Sequence, residues 1–122
     1  MARTGFGLAE ASTGDLDVHI HDWSLRRRHA SEALLTRIAA ADFAYALEFK
    51  PTQPVLWQGD AGFSRKSADP GYASHYMSWP QLAVSGTLGI AGSRKQQVRG
   101  RAWLDHEWSS ALMPDGATGW DW

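Results

Sequence analysis

The densest run of chemically capable side chains is Asp105-His106-Glu107-Trp108, with two carboxylates, an imidazole and an indole in four residues. An imidazole can carry or release a proton near neutral pH, and the face of an indole attracts a cation. Strand side chains alternate between faces, so Val98, Ala102 and Leu104 set a register for this segment. Continued, that register turns His106 and Trp108 inward and Asp105 and Glu107 outward. An inward histidine on an apolar face has two readings. It is either a core residue satisfied by a buried partner, or a proton donor or acceptor in a pocket walled by Trp108. Tyr76, Trp79 and Trp103 accompany this segment, either as packing aromatics or as the lining of a cavity for an elongated apolar ligand.

Other chemistries fit less well. His106-Glu107 begins an H-E-x-x-H pattern, but Ser110 stands where the second histidine is needed. Gly62-Phe63-Ser64-Arg65-Lys66 lacks the second glycine of a nucleophile elbow, and Gly59-Asp60-Ala61-Gly62 lacks the spacing of a phosphate loop. Asp17, His19 and His21 share one strand face, a spacing that can bind metal. That face is opposite Leu16, Val18 and Ile20, so it reads as an exposed polar surface and no metal site is assigned.

Composition bounds the rest. The 122 residues suit one domain, and 43% hydrophobic with 20% charged residues is a globular balance. Twelve basic against thirteen acidic residues leave a net charge of -1, which gives no polyelectrolyte surface for nucleic acid. No cysteine is present, so disulfides, thiolate metal sites and thiol nucleophiles are excluded together. No apolar stretch reaches the roughly 20 residues of a transmembrane helix, and no signal-peptide core opens the chain. Trp is abundant, with seven in all.

The elements that must position these residues read as strands. Period-2 patterns predict strands over 16–23, 43–49, 82–90 and 97–107, the last two paired antiparallel around a polar turn at 91–95. Val55-Leu56-Trp57 is a short strand, Arg26-Arg27-Arg28 a solvated connection, and 59–71 a long loop. Gly86 and Gly100 fit bends or bulges. Ser31 before Leu34, Ile38 and Ala41 reads locally as an N-capped helix over 31–42. Residues 1–14 form a poorly fixed lead-in anchored only by Phe6 and Leu8, and 15–122 form a partial β domain. The aromatic close Gly119-Trp120-Asp121-Trp122 suggests a fragment of a larger protein, with unpaired strand edges that favour self-association.

Ser74-His75-Tyr76-Met77-Ser78-Trp79-Pro80-Gln81-Leu82, followed by Val84-Ser85-Gly86-Thr87-Leu88, resembles a stretch of the AttH-like and carotenoid 1,2-hydratase (hydroxyneurosporene synthase) family. Val98-Arg99-Gly100-Arg101-Ala102-Trp103-Leu104-Asp105-His106-Glu107-Trp108 is similar to that family's V-x-G-x-A-W-x-D-H-x-W signature, and the closing Gly-Trp-Asp-Trp also resembles it. The resemblance implies an all-β, lipocalin-like antiparallel barrel or half-barrel. It further implies that this is the first half of a two-barrel protein whose remaining half is missing here, and that 31–42 is strand, not helix.

As activity, the resemblance implies cofactor-free hydration of a terminal double bond in an acyclic carotenoid, a hydro-lyase reaction on an apolar, isoprenoid-like ligand. His106 and Trp108 match the family's His-x-Trp pair as catalytic residues, with Asp105 orienting the histidine or staying structural. Tyr76 and Trp79 become ligand-binding candidates. A downstream Tyr-x-Asp element has no counterpart. Other members are described as secreted hydrolases or transport-associated proteins, so a non-catalytic binding domain is the alternative. A family-like location is the bacterial periplasm or a membrane surface.

Overall fold

Alternation of apolar and polar residues builds antiparallel strands throughout, and no helix occurs among the described residues. The computed structural model describes residues 5–111 and 113–119. In chain order the strands are β1 (Ala9–Ala11), β2 (Asp17–Ile20), β3 (Trp23–Arg27), β4 (Leu34–Ala39), β5 (Phe43–Lys50), β6 (Leu56–Trp57), β7 (Phe63–Arg65), β8 (Ala73–Ile90) and β9 (Gln96–Trp108). The chain divides into two compact units, Met1–Thr52 with Gln81–Ala102 and Gln53–Pro80 with Trp103–Trp122. β8 and β9 pair with each other and contribute a segment to each unit.

In the first unit β1 to β5 pair consecutively, and the 81–90 part of β8 joins the free side of β5 from Phe43↔Ile90 to Lys50↔Ala83. One face is apolar. Leu34 lies opposite Phe49, and Phe49 opposite Val84, so three strands stack large side chains in one row. Leu34 and Leu82, at 2% and 1% exposure, mark the centre of the core. The other face carries Arg26, Arg37, Glu48 and Ser85, linked through the registers Arg26↔Leu35, Leu35↔Glu48 and Glu48↔Ser85. Gly86 is the fixed point of this sheet. A Cβ there would stand 2.1 Å from the Ala46 carbonyl oxygen, at a φ of 153°, because β8 comes close to β5 at this position.

Several local expectations are corrected. The 16–23 strand breaks at His21-Asp22, a two-residue turn with His21 at φ 54°, and Arg26 and Arg27 belong to β3 instead of a connection. Trp23 and Leu25 continue the apolar alternation and pair with Ile20 and Val18, which holds the arginines in strand. The helix signal over 31–42 also gives way. β4 is flanked by β3 and β5, and pairing on both sides outweighs local propensity, as the family resemblance implies. Within the lead-in, Phe6 and Leu8 are exposed, and the anchor is β1 pairing on β2. Gly100 has open space where a Cβ would stand.

In the second unit β6 and β7 both pair with the 73–80 part of β8, through Leu56↔Ser78 and Phe63↔His75 among others. The expected long loop therefore contains β7, entered by a tight turn between Asp60 and Phe63. The expected strands at 43–49, 55–57, 82–90 and 97–107 are present, with β8 starting nine residues earlier than its apolar alternation suggests. Trp120, Asp121 and Trp122 of the aromatic close lie outside the described residues.

Candidate functional site

The candidate residues gather in the second unit, where alternation sorts them onto two faces of β8 and β9. One face is polar. β8 presents Ser74, Tyr76 and Ser78 at period 2, and β9 presents Asp105 and Glu107. Ser78 is fully buried, donates from Oγ to Asp105 Oδ1 at 2.5 Å, and accepts from Gln58 Nε2 at 2.9 Å. Tyr76 donates its hydroxyl proton to the same Asp105 oxygen at 3.2 Å. Ser74 Oγ donates to Glu107 Oε1 at 2.5 Å, and Lys66 Nζ forms an ion pair with that oxygen. The ammonium also lies 3.4 Å from Ser64 Oγ and 5.4 Å from the centroid of the Tyr76 ring.

These contacts fix the charge states. Burial pushes the Asp105 carboxyl up, but proton donors from Ser78, Trp103 and Tyr76 outweigh it and hold the group below its ordinary value. Hydrogen bonds from Lys66 and Ser74 hold Glu107 low as well, against partial burial and the charge of Asp105. Burial raises the Tyr76 phenol, reinforced by the neighbouring charges of Asp105 and Glu107 and opposed by Ser78. At neutral pH this face therefore holds two carboxylates and a neutral phenol.

The other face is aromatic and open. His75 on β8 stacks on Trp108 of β9 with ring centroids 5.4 Å apart and planes at 24°. His106 lies 4.8 Å from the same indole, tilted by 39°, and Phe63 meets His75 edge-on at 6.1 Å. His106 is exposed, and Trp108 is 48% exposed. The inward orientation expected for this pair is thus reversed. Val98, Ala102 and Leu104 are half-buried as the register predicts, with Arg99, Arg101 and Trp103 exposed. Beyond Leu104 the hydroxyls of β8 meet Asp105 and Glu107, so it is the carboxylate face that is packed and hydrogen-bonded.

The structure therefore joins Asp105 to Tyr76 on one face and His106 to Trp108 on the other. Trp79, at 4% exposure, packs into the interior and donates its indole N–H to the Gln53 carbonyl oxygen at 3.2 Å. Sequence reasoning missed Gln58, Lys66, Ser74, Ser78 and His75 as partners. One signal was available, since Ser74-x-Tyr76-x-Ser78 and Asp105-x-Glu107 are both period-2 polar stripes on adjacent strands.

The AttH-like family model matches residues 1–122. The chain belongs to the AttH-like family. Among solved structures, this AttH-like chain is similar to a Nitrosomonas europaea protein provisionally called AttH, at 44% identity and a TM-score of 0.84. The match covers 95% of this chain and 36% of that protein, so the chain spans about a third of its relative's length. No curated protein matches in sequence. The all-β, antiparallel architecture implied by the sequence resemblance is the one observed.

Proposed function

We propose that this AttH-like chain supplies the proton-handling face of a cofactor-free small-molecule site, acting in the longer protein to hydrate a carbon–carbon double bond of an apolar, isoprenoid-like substrate. The observation that carries the reading is the contact of His106 and His75 with the Trp108 ring, at 4.8 and 5.4 Å, on an open face. Hydration of an isoprenoid alkene needs an acid to protonate carbon, stabilisation of the tertiary cation, and a base for the entering water. His106 in its protonated form gives its proton to the less substituted carbon of the double bond, the π electrons forming the new C–H bond and leaving the charge on the tertiary carbon. The cation that results lies against the indole of Trp108. Water adds to it and loses a proton to the now neutral imidazole, which restores the starting state. Asp105 and Glu107 are ionised on the opposite face, so neither donates the proton, and Asp105 acts as a positioning residue for β9.

Binding without catalysis is the second reading. It is favoured by the fact that, among the described residues, neither His75 nor His106 makes a side-chain hydrogen bond to orient its ring. The test is His106→Gln in the full-length protein, assayed with an acyclic carotenoid for both hydration and binding. Loss of turnover with retained melting temperature supports the catalytic reading. Ligand affinity without any product from the wild type supports the binding reading. Full activity in the variant, at unchanged melting temperature, overturns the role of His106.

A further inference from the structure

The first unit holds a concavity of about 780 Å³ on the polar face of its sheet, separate from the residues just discussed. Its lining includes Arg26, Arg37 and Arg99, from β3, β4 and β9. Guanidinium groups keep their charge at every accessible pH. Arg37 has Ser24 and Ala46 directly opposite it and Glu48 diagonally across on β5, yet it forms no ion pair among the described residues. Arg26 faces Asp17 across the β2–β3 register, yet among the described residues none of the three arginines makes an ion pair. The one acid in the lining is Glu48, whose charge is offset by Arg28 at 3.0 Å and Lys50 at 3.7 Å, while its buried Oε1 accepts no hydrogen bond among the described residues.

Such an arrangement costs like-charge repulsion. The registers Ser24↔Arg37 and Arg26↔Leu35 make Arg26 and Arg37 diagonal neighbours on one face, about 7–8 Å apart with their Cβ atoms somewhat closer. The chain as a whole carries a net charge of -1, so this collection of cations does not follow from general basicity. Ser24 and Ser85 add hydroxyls to the lining, while Leu35 and Ala46, on the same face as Arg37 and Glu48, supply an apolar floor.

We propose that this trough binds a small organic oxyanion, a carboxylate or phosphate ester whose head is held by Arg37 and Arg99 with Arg26 nearby and whose short carbon body lies on the apolar floor. The guanidinium fork matches both head groups through paired N–H···O bonds. The volume is in the range of small-molecule sites and far larger than a bare ion needs. The site is independent of the histidine–tryptophan face and stands or falls apart from it.

Calorimetric titration of the full-length protein with hexanoate, hexyl phosphate and hexan-1-ol tests the proposal. At least one of the two anions binds, whichever head group is preferred, and hexanol binds at least about tenfold more weakly. Arg37→Gln and Arg99→Gln each weaken anion binding about tenfold, as loss of a charge-assisted pair requires. Arg94→Gln, in the exposed turn after β8, leaves it unchanged. Added salt also weakens binding by screening the head group. Arg37→Lys keeps the charge without the fork and gives an intermediate loss, which provides a readout should the glutamine variants fold poorly. Hexanol binding as tightly as the anions, wild-type affinity in the Arg37→Gln/Arg99→Gln variant, or no binding of either anion at millimolar concentration overturns the proposal.

Discussion

Ser78 Oγ donates a hydrogen bond to Asp105 Oδ1 at 2.5 Å, from a serine with no exposed surface. This contact ties the Ser-x-Tyr-x-Ser stripe of β8 to the Asp-x-Glu stripe of β9. It also decides which face of β9 is packed. A carboxylate that accepts from Ser78 and Tyr76 cannot turn to solvent without orphaning a buried hydroxyl. His106 and Trp108 are consequently carried to the open side.

Ser78→Ala therefore destabilises the protein by about 1–3 kcal/mol, because it leaves Asp105 short of a donor and Gln58 Nε2 without its acceptor. Tyr76→Phe costs less, about 1 kcal/mol, since the bond removed is longer at 3.2 Å and Ser78 remains. Urea unfolding of the single and double variants of Ser78 and Asp105 measures the coupling. Simple additivity of Ser78→Ala and Asp105→Asn is the result that contradicts it.

Stability should fall off on both sides of neutrality. Asp105 and Glu107 have carboxyls lowered in the folded state, so their contribution is complete above the ordinary carboxylate values, by about pH 5, and is lost as pH falls through the lowered ones. Tyr76 is raised from 10.0, so its contribution is complete below about pH 9 and is lost as pH rises through the raised value. Unfolding free energy followed from pH 2 to about pH 11 should show a plateau between these limits. Glu107→Gln and Asp105→Asn should each flatten the acid limb.

The β class was legible because Phe43 to Phe49 and Leu82 to Ile90 alternate cleanly, and β5 and the second part of β8 do pair over that length. The helix signal at 31–42 failed because β4 is bonded on both sides, a non-local fact that no window of sequence contains. The candidate site was legible as residue types, not as orientation. Parity counted from Val98 is sound through Leu104, but the face that becomes packed from Asp105 onward depends on distant hydroxyls, Ser78 at 27 positions from Asp105 and Ser74 at 33 positions from Glu107. Lys66 carried no signal at all, since nothing in its loop announces the Glu107 partner.

Gly86→Ala should be among the most damaging small substitutions in the first unit. The added methyl carbon would stand 2.1 Å from the Ala46 carbonyl oxygen and 2.9 Å from Leu47 Cα, both backbone atoms that cannot swing aside. The β5–β8 pairing must open locally, at a cost of several kcal/mol by the usual scale of strain at a special backbone site. Gly100→Ala, with open space around it, should be nearly neutral. Thermal melts of the two variants compare the positions directly, and equal melting temperatures would contradict the close approach.

Lys66→Met separates the two carboxylates. Lys66 does most to hold Glu107 low, through its hydrogen bond and its charge, whereas the donors that hold Asp105 low are Ser78, Trp103 and Tyr76. Removing the ammonium should raise the Glu107 titration midpoint and leave that of Asp105 close to its wild-type position, as read from side-chain carboxyl resonances in an NMR titration. The stability loss should stay near 1 kcal/mol or below, because the Lys66 and Glu107 side chains remain 33% and 30% exposed and water screens the pair. Lys66→Arg should restore the Glu107 midpoint, since the charge returns to the same place. A Glu107 midpoint that does not move in Lys66→Met would show that the Ser74 hydroxyl alone keeps this carboxylate ionised. An Asp105 midpoint that moves as far as that of Glu107 would mean that the two halves of the polar face titrate as one network.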